Sequence, residues 1–298
     1  MIELADRPCP VCGTAAHSRL FAEANIDETR IDARSFSSRK TPEFMHYRYL
    51  ECATCDLVYA SPAPTAATTS SLYRDAEYAS AAEAGHAADT YARLLARLLP
   101  RLPDRVAALD VGAGDGAFLE RLAGAGFDRV VGIEPSRAPL AQAAPAVREL
   151  IVEGTFVPGV VEGPFTLVTC FQTLEHIPDP LETLRLAADL LAPGGALVLV
   201  VHDRRGLPTR LLGGRSPILD LEHLQLFSRN SLGAALQGAG LALDSVAPFA
   251  NTYPLAYWLS LAPLPGPLRA FTRSLPRAVA SAPVRLRAGN LAAVAFKP

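Results

Sequence analysis

Four cysteines, two carboxylates that close apolar runs, and two copies of one tripeptide are the residues whose types and spacing could do chemistry. Cys9 and Cys12 stand in "CPVCG", and Cys52 and Cys55 in "CATCD", two C-x-x-C knuckles some forty residues apart. Four soft thiolates are the ligand set of a closed tetrahedral zinc site. Such a site keeps no position for water, so the expected role is structural; a rubredoxin-like iron is the alternative. A second stretch, "VAALDVGAGDGAF", puts Asp110 at the end of an apolar run and then Gly112, Gly114 and Gly116 at every other position. Glycines so spaced turn the chain tightly between a strand and a helix and let a ligand meet bare backbone. The helix that follows presents a positive end and free N–H groups, which suit a pyrophosphate or an amino-acid carboxylate.

Two ligands fit that loop. Gly112-x-Gly114-x-x-Ala117 satisfies the dinucleotide fingerprint. Asp-x-Gly-x-Gly-x-Gly is also the nucleoside loop of S-adenosylmethionine (SAM) enzymes. Asp110 helps to discriminate. A fixed negative charge there would face a pyrophosphate at a cost, but would face a sulfonium and an ammonium favourably. Glu134 ends "VVGIEPS"; its two oxygens suit two ribose hydroxyls in either case.

The tripeptide Leu-Glu-His occurs in "LEHIPDP" and again in "LEHLQLF". If the loop takes SAM, the chemistry is transfer of its methyl group, an in-line displacement that needs a nucleophile held about 3 Å from the methyl carbon, with water kept out. A hydroxyl or acidic carbon acceptor also needs a base. His176 and His223 are the base candidates, with Glu175 and Glu222 as orienting groups. Capping or packing is the competing reading of each histidine. Tyr73 and Tyr78 could close over such a site, though tyrosines at helical spacing also read as core.

The elements that must position these groups are readable in order. Residues 1–62 form a separate cysteine-bearing unit, in which "FMHYRYLEC" alternates as a strand does. "SPAPT" is a linker, and 63–103 is a helical cover or linker rich in Ala, Leu and Arg. From 104 to 298 strands and helices alternate. "RVAALDV", "RVVGIEP", "ELIVEG", "FTLVTCF", "ALVLVVHD", "LALDSVAPF" and "NLAAVAFKP" are the strands. Apolar strands in such alternation imply a buried parallel sheet covered on both faces. A helix is expected over about 116–125, and "SRNSLGAALQGAG" has a capping start and a glycine stop. Cys170, alone on the fourth strand, reads as core.

"LDVGAGDG", "VVGIEPS", "FTLVTCFQTLEHIPDP", "LLAPGGALVLVV" and "FSRNSLGAALQGAGL" together resemble the class I SAM-dependent methyltransferases. Within that family the likeness is to the ubiquinone-type small-molecule O-methyltransferases. It covers residues 100–250 and the last strand. It implies an α/β, Rossmann-like, seven-stranded sheet with helices on both faces, here with a small zinc-knuckle unit in front. It implies that Gly112, Gly114 and Gly116 line the methionine portion of SAM with Asp110 close by. Glu134 would hold the ribose, Thr155 and Phe156 would lie near the adenine, and Phe171 and Gln172 would touch the cofactor. Phe156 also reads as a core aromatic. Knuckle units ahead of this core resemble those of sugar C-methyltransferases, of unassigned glycan and natural-product methyltransferases, and of a ribosomal-RNA methyltransferase family.

Composition narrows the reading. The chain has 298 residues, half of them apolar, and a formal charge of −2. That suits one large domain with an appendage, and it favours neither a nucleic-acid partner nor an anionic membrane. No secretory signal and no spanning helix is read, which places the protein in the cytoplasm. Arg30, Arg34, Arg39 and Lys40 read as a solvated loop, with an anion contact as the alternative. The expected function is methyl transfer from SAM to a small molecule: a specialised metabolite, a sugar or a lipid-linked glycan. A zinc-ribbon RNA methyltransferase and a non-catalytic SAM-binding scaffold are the alternatives. The last two strands are separated by 251–289, too long for a structureless loop in a compact domain. This insertion reads either as helices packed on the sheet edge or as a cover over an apolar acceptor pocket that touches a membrane surface.

Overall fold

The computed structural model describes residues 2–15, 17–32, 34–37, 43–78, 81–262, 272 and 274–298. Arg39 and Lys40 of the basic loop, and 263–271 and 273 of the insertion, lie outside them. The centre of the molecule is a seven-stranded sheet. Its strands are β1 (Ala107–Val111), β2 (Arg129–Glu134), β3 (Ile151–Glu153), β4 (Phe165–Phe171), β5 (Leu191–His202), β6 (Ala242–Pro254) and β7 (Pro283–Phe296). They lie side by side in the order β3-β2-β1-β4-β5-β7-β6.

Alternation along each strand feeds two cores. Leu197, Leu199 and Val201 of β5 join Leu184, Leu232 and Leu236 on one face. Ala196, Val198 and Val200 join Tyr91, Leu95, Leu119 and Leu122 on the other. A strand with both neighbours of every residue buried is an unbroken apolar run, which is why these strands show no polar stripe. Helices 81–98 and 117–124 cover the second face, and helices 180–190 and 229–238 the first. Ser228 caps the last of these reciprocally with Ser231, as its sequence foretells.

Three features depart from the sequence reading. The sheet is mixed: β7 runs antiparallel to both β5 and β6. The reason is that β6 and β7 are joined as a ribbon rather than by a crossover. That ribbon also runs beyond the expected strand ends, pairing Thr252 with Arg285 and Pro254 with Pro283. The true insertion is therefore 255–282, with helices Leu255–Leu261 and Arg277–Ala280 among its described residues.

The cysteine unit, finally, is not separate. Its antiparallel sheet is ordered Ser18–Ala22, Tyr49–Cys52, Val58–Ala60 and then Gln225–Leu226, a strand supplied from beyond β5. Met45, Tyr47, Tyr49 and Val58 share a core with Leu219, Leu221, Leu224 and Leu226. Burying that shared apolar face is favourable at about 25 cal/mol per Å2, and a four-residue sequence pattern such as "HLQL" gives no hint of it.

Candidate active site

A cavity of about 860 Å3 opens at the carboxyl ends of the parallel strands, where ligands bind in sheets of this kind. Asp110, Gly112, Gly114, Glu134, Thr155, Phe156, Phe171 and Gln172 all line it, as do His176 and His223.

At one end lies the glycine loop. Gly112 has φ +82°, and a Cβ there would stand 2.2 Å from Thr173 Oγ1, so only glycine fits. Gly114, at φ +58°, has open space where a side chain would be, which leaves its backbone bare to a ligand. Gly116 stands apart from the lining residues: at φ +80° it caps helix 117–124, and a Cβ would meet Val147 Cγ1 at 2.2 Å. It lets helix 117–124 approach Val147 of helix 145–148 and Ile151 of β3, and spacing alone could not separate it from the other two.

The two carboxylates are buried together. Asp110 Oδ1 accepts from Thr169 Oγ1 at 2.6 Å. Glu134 accepts from Ser136 N and from Gly114 N, each at 2.8 Å. Burial pushes the Asp110 carboxyl up to about 7, the Thr169 hydrogen bond opposes this, and repulsion from Glu134 adds to it. Glu134 is likewise raised by burial, against the pull of its backbone donors. Two buried acids in one cavity fit a cationic ligand that carries hydroxyls, which is the chemistry of SAM.

This yields a pH prediction. The carboxylate form of Asp110 favours an ammonium-bearing ligand, and its pKa before binding is near 7. Affinity for S-adenosylhomocysteine (SAH) should therefore hold above pH 7 and fall as pH drops, approaching tenfold per pH unit. Calorimetric titration between pH 8 and 5.5 checks this. Asp110→Asn should bind weakly with a flat profile; an equally steep profile in that variant would assign the proton to another group.

Phe171 stacks on Tyr91 at 4.2 Å and meets Phe118 edge-on at 5.0 Å, forming an aromatic floor between the two ends. Gln172 follows at φ +53°, a left-handed conformation that costs a non-glycine residue on the order of 1 kcal/mol. Its buried Nε2 has no hydrogen-bond partner among the described residues, so a ligand there would gain a donor.

The other end gathers histidines. The rings of His176 and His223 lie 4.9 Å apart, and His202 sits 4.8 Å from His223. Both Leu-Glu-His segments are stitched together: Leu224 N donates to Glu175 O at 2.8 Å, and Gln225 Nε2 donates to Leu174 O and Ile177 O at 2.7 Å. Arg7 clamps both from the cysteine unit, donating to Ala60 O, Pro178 O and Leu224 O. Tyr49 donates to His223 O at 2.6 Å. Tyr73 reaches His176 Nδ1 at 2.8 Å, and Tyr78 donates to Asp115 Oδ2 at 2.9 Å; both tyrosines line the cavity.

Comparison with known proteins decides the family. Residues 84–246 match the methyltransferase domain. The chain belongs to the class I SAM-dependent methyltransferases. Among curated relatives of this domain, the ubiquinone biosynthesis O-methyltransferase of Vibrio parahaemolyticus is 36% identical over 103 residues, 32% of this chain and 43% of that one. The enzyme of the same name from a Caulobacter species is 35% identical over 103 residues, 32% of this chain and 40% of that one. The matches thus span less than half the length of these methyltransferases. A methyltransferase of Haloferax volcanii, solved in complex with the Trm112 methyltransferase activator, shares the fold with TM-score 0.50 and 17% identity. The alignment covers 74% of this chain and 95% of that one.

Several residues of this methyltransferase site escaped the sequence reading. His202 Nδ1 lies 3.0 Å from Asn290 Oδ1, and Asn290 Nδ2 donates to Asn251 Oδ1 at 3.1 Å. Burial pushes the His202 imidazole down to about 4, so it is neutral at physiological pH. Only His202 ends its strand; Asn251 and Asn290 lie within β6 and β7, where an isolated polar residue carries little signal.

The four cysteines converge as the spacing implies. Cys9 and Cys55 sulfurs lie 3.5 Å apart, as do those of Cys12 and Cys52, and all four fall within 4.8 Å of one another. A tetrahedral zinc with Zn–S bonds of about 2.3 Å sets sulfurs about 3.8 Å apart, so the residues fit that ion. Arg204 ties this knuckle to the end of β5 through Glu51 and Asp56. Of the basic loop, Arg34 pairs with Glu77 at 2.9 Å.

Proposed function

We propose that the protein transfers a methyl group from SAM to a small molecule bound at the histidine end of the cavity, and that the four thiolates hold a structural zinc. The observation that supports it is the continuity of one cavity from Glu134 and Gly114 to His176 and His223. SAM supplies an electrophilic methyl on a sulfonium. The chain's residues do the rest. Glu134 faces the ribose hydroxyls, Asp110 offsets positive charge, and Thr155 and Phe156 flank the base. The aromatic floor of Phe171, Tyr91 and Phe118 keeps water from the line of transfer. His223 presents Nε2 to the acceptor as the base, because Nδ1 lies 3.0 Å from Ile218 O, and a carbonyl accepts only from an N–H. His176 is the second candidate for that role.

The acceptor reading extends to a greasy or lipid-linked molecule, including a glycan carrier. Tyr253, Tyr257, Trp258 and Leu261 line the cavity mouth, with Trp258 Nε1 fixed to Val284 O at 2.9 Å. Helix Leu207–Leu212 borders the same mouth and leaves Leu207 and Leu211 66% and 76% exposed. These groups suit contact with a membrane surface.

Two experiments test the proposal. Calorimetry should show SAH binding and no NADH binding, and Glu134→Ala should weaken SAH by about 1–3 kcal/mol, since buried hydroxyls lose their acceptor. Tight NADH binding would sink the cofactor assignment. Replacing 255–282 with a short turn should abolish transfer to the acceptor while SAH still binds; joint loss of folding and SAH binding would make the segment core structure instead.

A further inference from the structure

Three polar side chains from three strands meet at the cavity and share a directed set of hydrogen bonds. His202, Asn251 and Asn290 all line it, as do Phe171 and Tyr253. Sheet register brings the first two strands together: His202 of β5 stands opposite Asn290 of β7. Asn251 of β6 reaches the same place because the β6–β7 ladder is irregular there, Phe249 pairing with Asn290 but Asn251 with Leu286. Extra residues on one strand of a ladder re-aim side chains in this way. Asn290 Nδ2 donates to Asn251 Oδ1 at 3.1 Å, which leaves Asn290 Oδ1 facing His202 Nδ1 at 3.0 Å. An amide oxygen only accepts, so His202 carries its hydrogen on Nδ1 and a lone pair on Nε2. Nε2 stands 3.9 Å from Glu175 Oε1, beyond hydrogen-bond reach, and the His202 side chain remains 23% exposed. Burial lowers the ring's pKa to about 4, so the lone pair is kept at physiological pH. The same low pKa makes His202 a poor base, which separates its role from the one proposed for His223, whose ring lies 4.8 Å away.

We propose that His202 is a specificity residue for the acceptor: its Nε2 accepts a hydrogen bond from an acceptor hydroxyl, and Asn290 and Asn251 are the positioning residues that fix the ring and its tautomer. The hydroxyl at this point is recognised rather than methylated, since the imidazole beside it takes a proton poorly. A neutral hydroxyl suits the place better than an ammonium. Phe171 and Tyr253 line the same cavity, and burying a charge among such groups costs far more than burying a hydroxyl that keeps a partner. An ether or deoxy analogue is rejected for the converse reason, because it leaves the imidazole lone pair unpaired. The acceptor class is thus a hydroxylated molecule. That the bound molecule is a methyl acceptor rests on the function proposed above; that a hydroxyl binds at His202 does not.

The test uses the full chain labelled with 15N-histidine, with and without SAH, and two probes, phenol and anisole, which share a ring and differ in the hydroxyl donor. At neutral pH the His202 resonances of the unmodified chain should show hydrogen on Nδ1 and none on Nε2. Phenol should shift the Nε2 resonance, and anisole should not. His202→Phe should weaken phenol about tenfold, the loss expected of one hydrogen bond, and leave anisole unchanged. Its SAH affinity and unfolding midpoint should match the parent's, which shows that the fold is intact. Asn290→Leu should let hydrogen appear on Nε2 and reduce the phenol response. Asn290→Asp, which keeps an oxygen facing Nδ1, should preserve the tautomer above neutral pH. Hydrogen on Nε2 in the unmodified chain overturns the proposal, as does no response to phenol up to its solubility, an equal response to anisole, or phenol affinity that His202→Phe leaves unchanged. SAH titration of the same sample keeps the two readings apart: absence of SAH binding overturns methyl transfer and leaves the phenol result standing.

Discussion

His223→Ala lowers methyl transfer by about 10²–10⁴-fold and leaves SAH affinity nearly unchanged. The size follows from the role proposed for the ring, that of base toward the acceptor. The selectivity follows from position. His223 sits with His176 and His202 at one end of the cavity, while Asp110, Gly114 and Glu134 hold the other. The His223 backbone is held by Tyr49, and the ring lies against other imidazoles rather than against the glycine loop. Steady-state kinetics with SAH calorimetry on one preparation checks both halves. Unchanged turnover would remove His223 from the chemistry and leave positioning of an already acidic acceptor as the better account. Equal loss of SAH affinity and turnover would show that the substitution damages the whole cavity.

Cys52→Ser, or stripping of the thiolate metal, should remove activity before it removes SAH binding. Structural zinc in isolated zinc-finger peptides is worth about 10–16 kcal/mol, comparable with the whole stability of a domain, about 5–15 kcal/mol. The damage has a direction. Strand Tyr49–Cys52 ends at one of the four clustered thiols, and it carries the Tyr49 hydroxyl that holds His223 O and the Glu51 that holds Arg204. Loosening it frees the loop that presents His223. The glycine loop rests instead on β1, β2 and helix 117–124, on the other side of the cavity. Mercurial titration should release one thiolate-bound zinc per chain, with transfer lost in parallel and SAH binding retained. Free reaction of all four thiols with a maleimide in the native protein would rule the zinc assignment out.

How much of this was legible beforehand depended on the range of each interaction. The glycine turn, the strand that ends at Glu134 and the meeting of the two cysteine knuckles were legible because their geometry is local: φ angles, a strand terminus, a two-residue spacing. At Gly116 the φ of +80° is local, but the close approach of Val147, thirty-one positions away, could not be read from the spacing. His202, Asn251 and Asn290 were missed because they meet only through the order of β5, β7 and β6, and nothing in "VVHD" or "NLAAV" states which strand lies alongside. The repetition of Leu-Glu-His drew attention to His176 and His223. That the two segments touch is owed to Gln225 and to the strand Gln225–Leu226, which look like ordinary helix-approach sequence. The separateness assumed for residues 1–62 failed for the same reason, since its fourth strand comes from far down the chain.

That borrowed strand bears on how the protein is made. Val58–Ala60 pairs with Gln225–Leu226, and Arg7 bonds Leu224 O across 217 positions. During synthesis the amino-terminal sheet therefore leaves the ribosome with an open edge, and the edge stays open until some 160 further residues have followed. Contacts of such separation slow folding, and an uncovered apolar edge invites pairing with another chain. The proposed knuckle metal, whose four cysteines are complete by Cys55, would hold that sheet in shape through the wait. A nascent chain starved of zinc, or one cut short before residue 225, would then be lost to aggregation even though its cofactor-binding strands β1 to β4 were already complete.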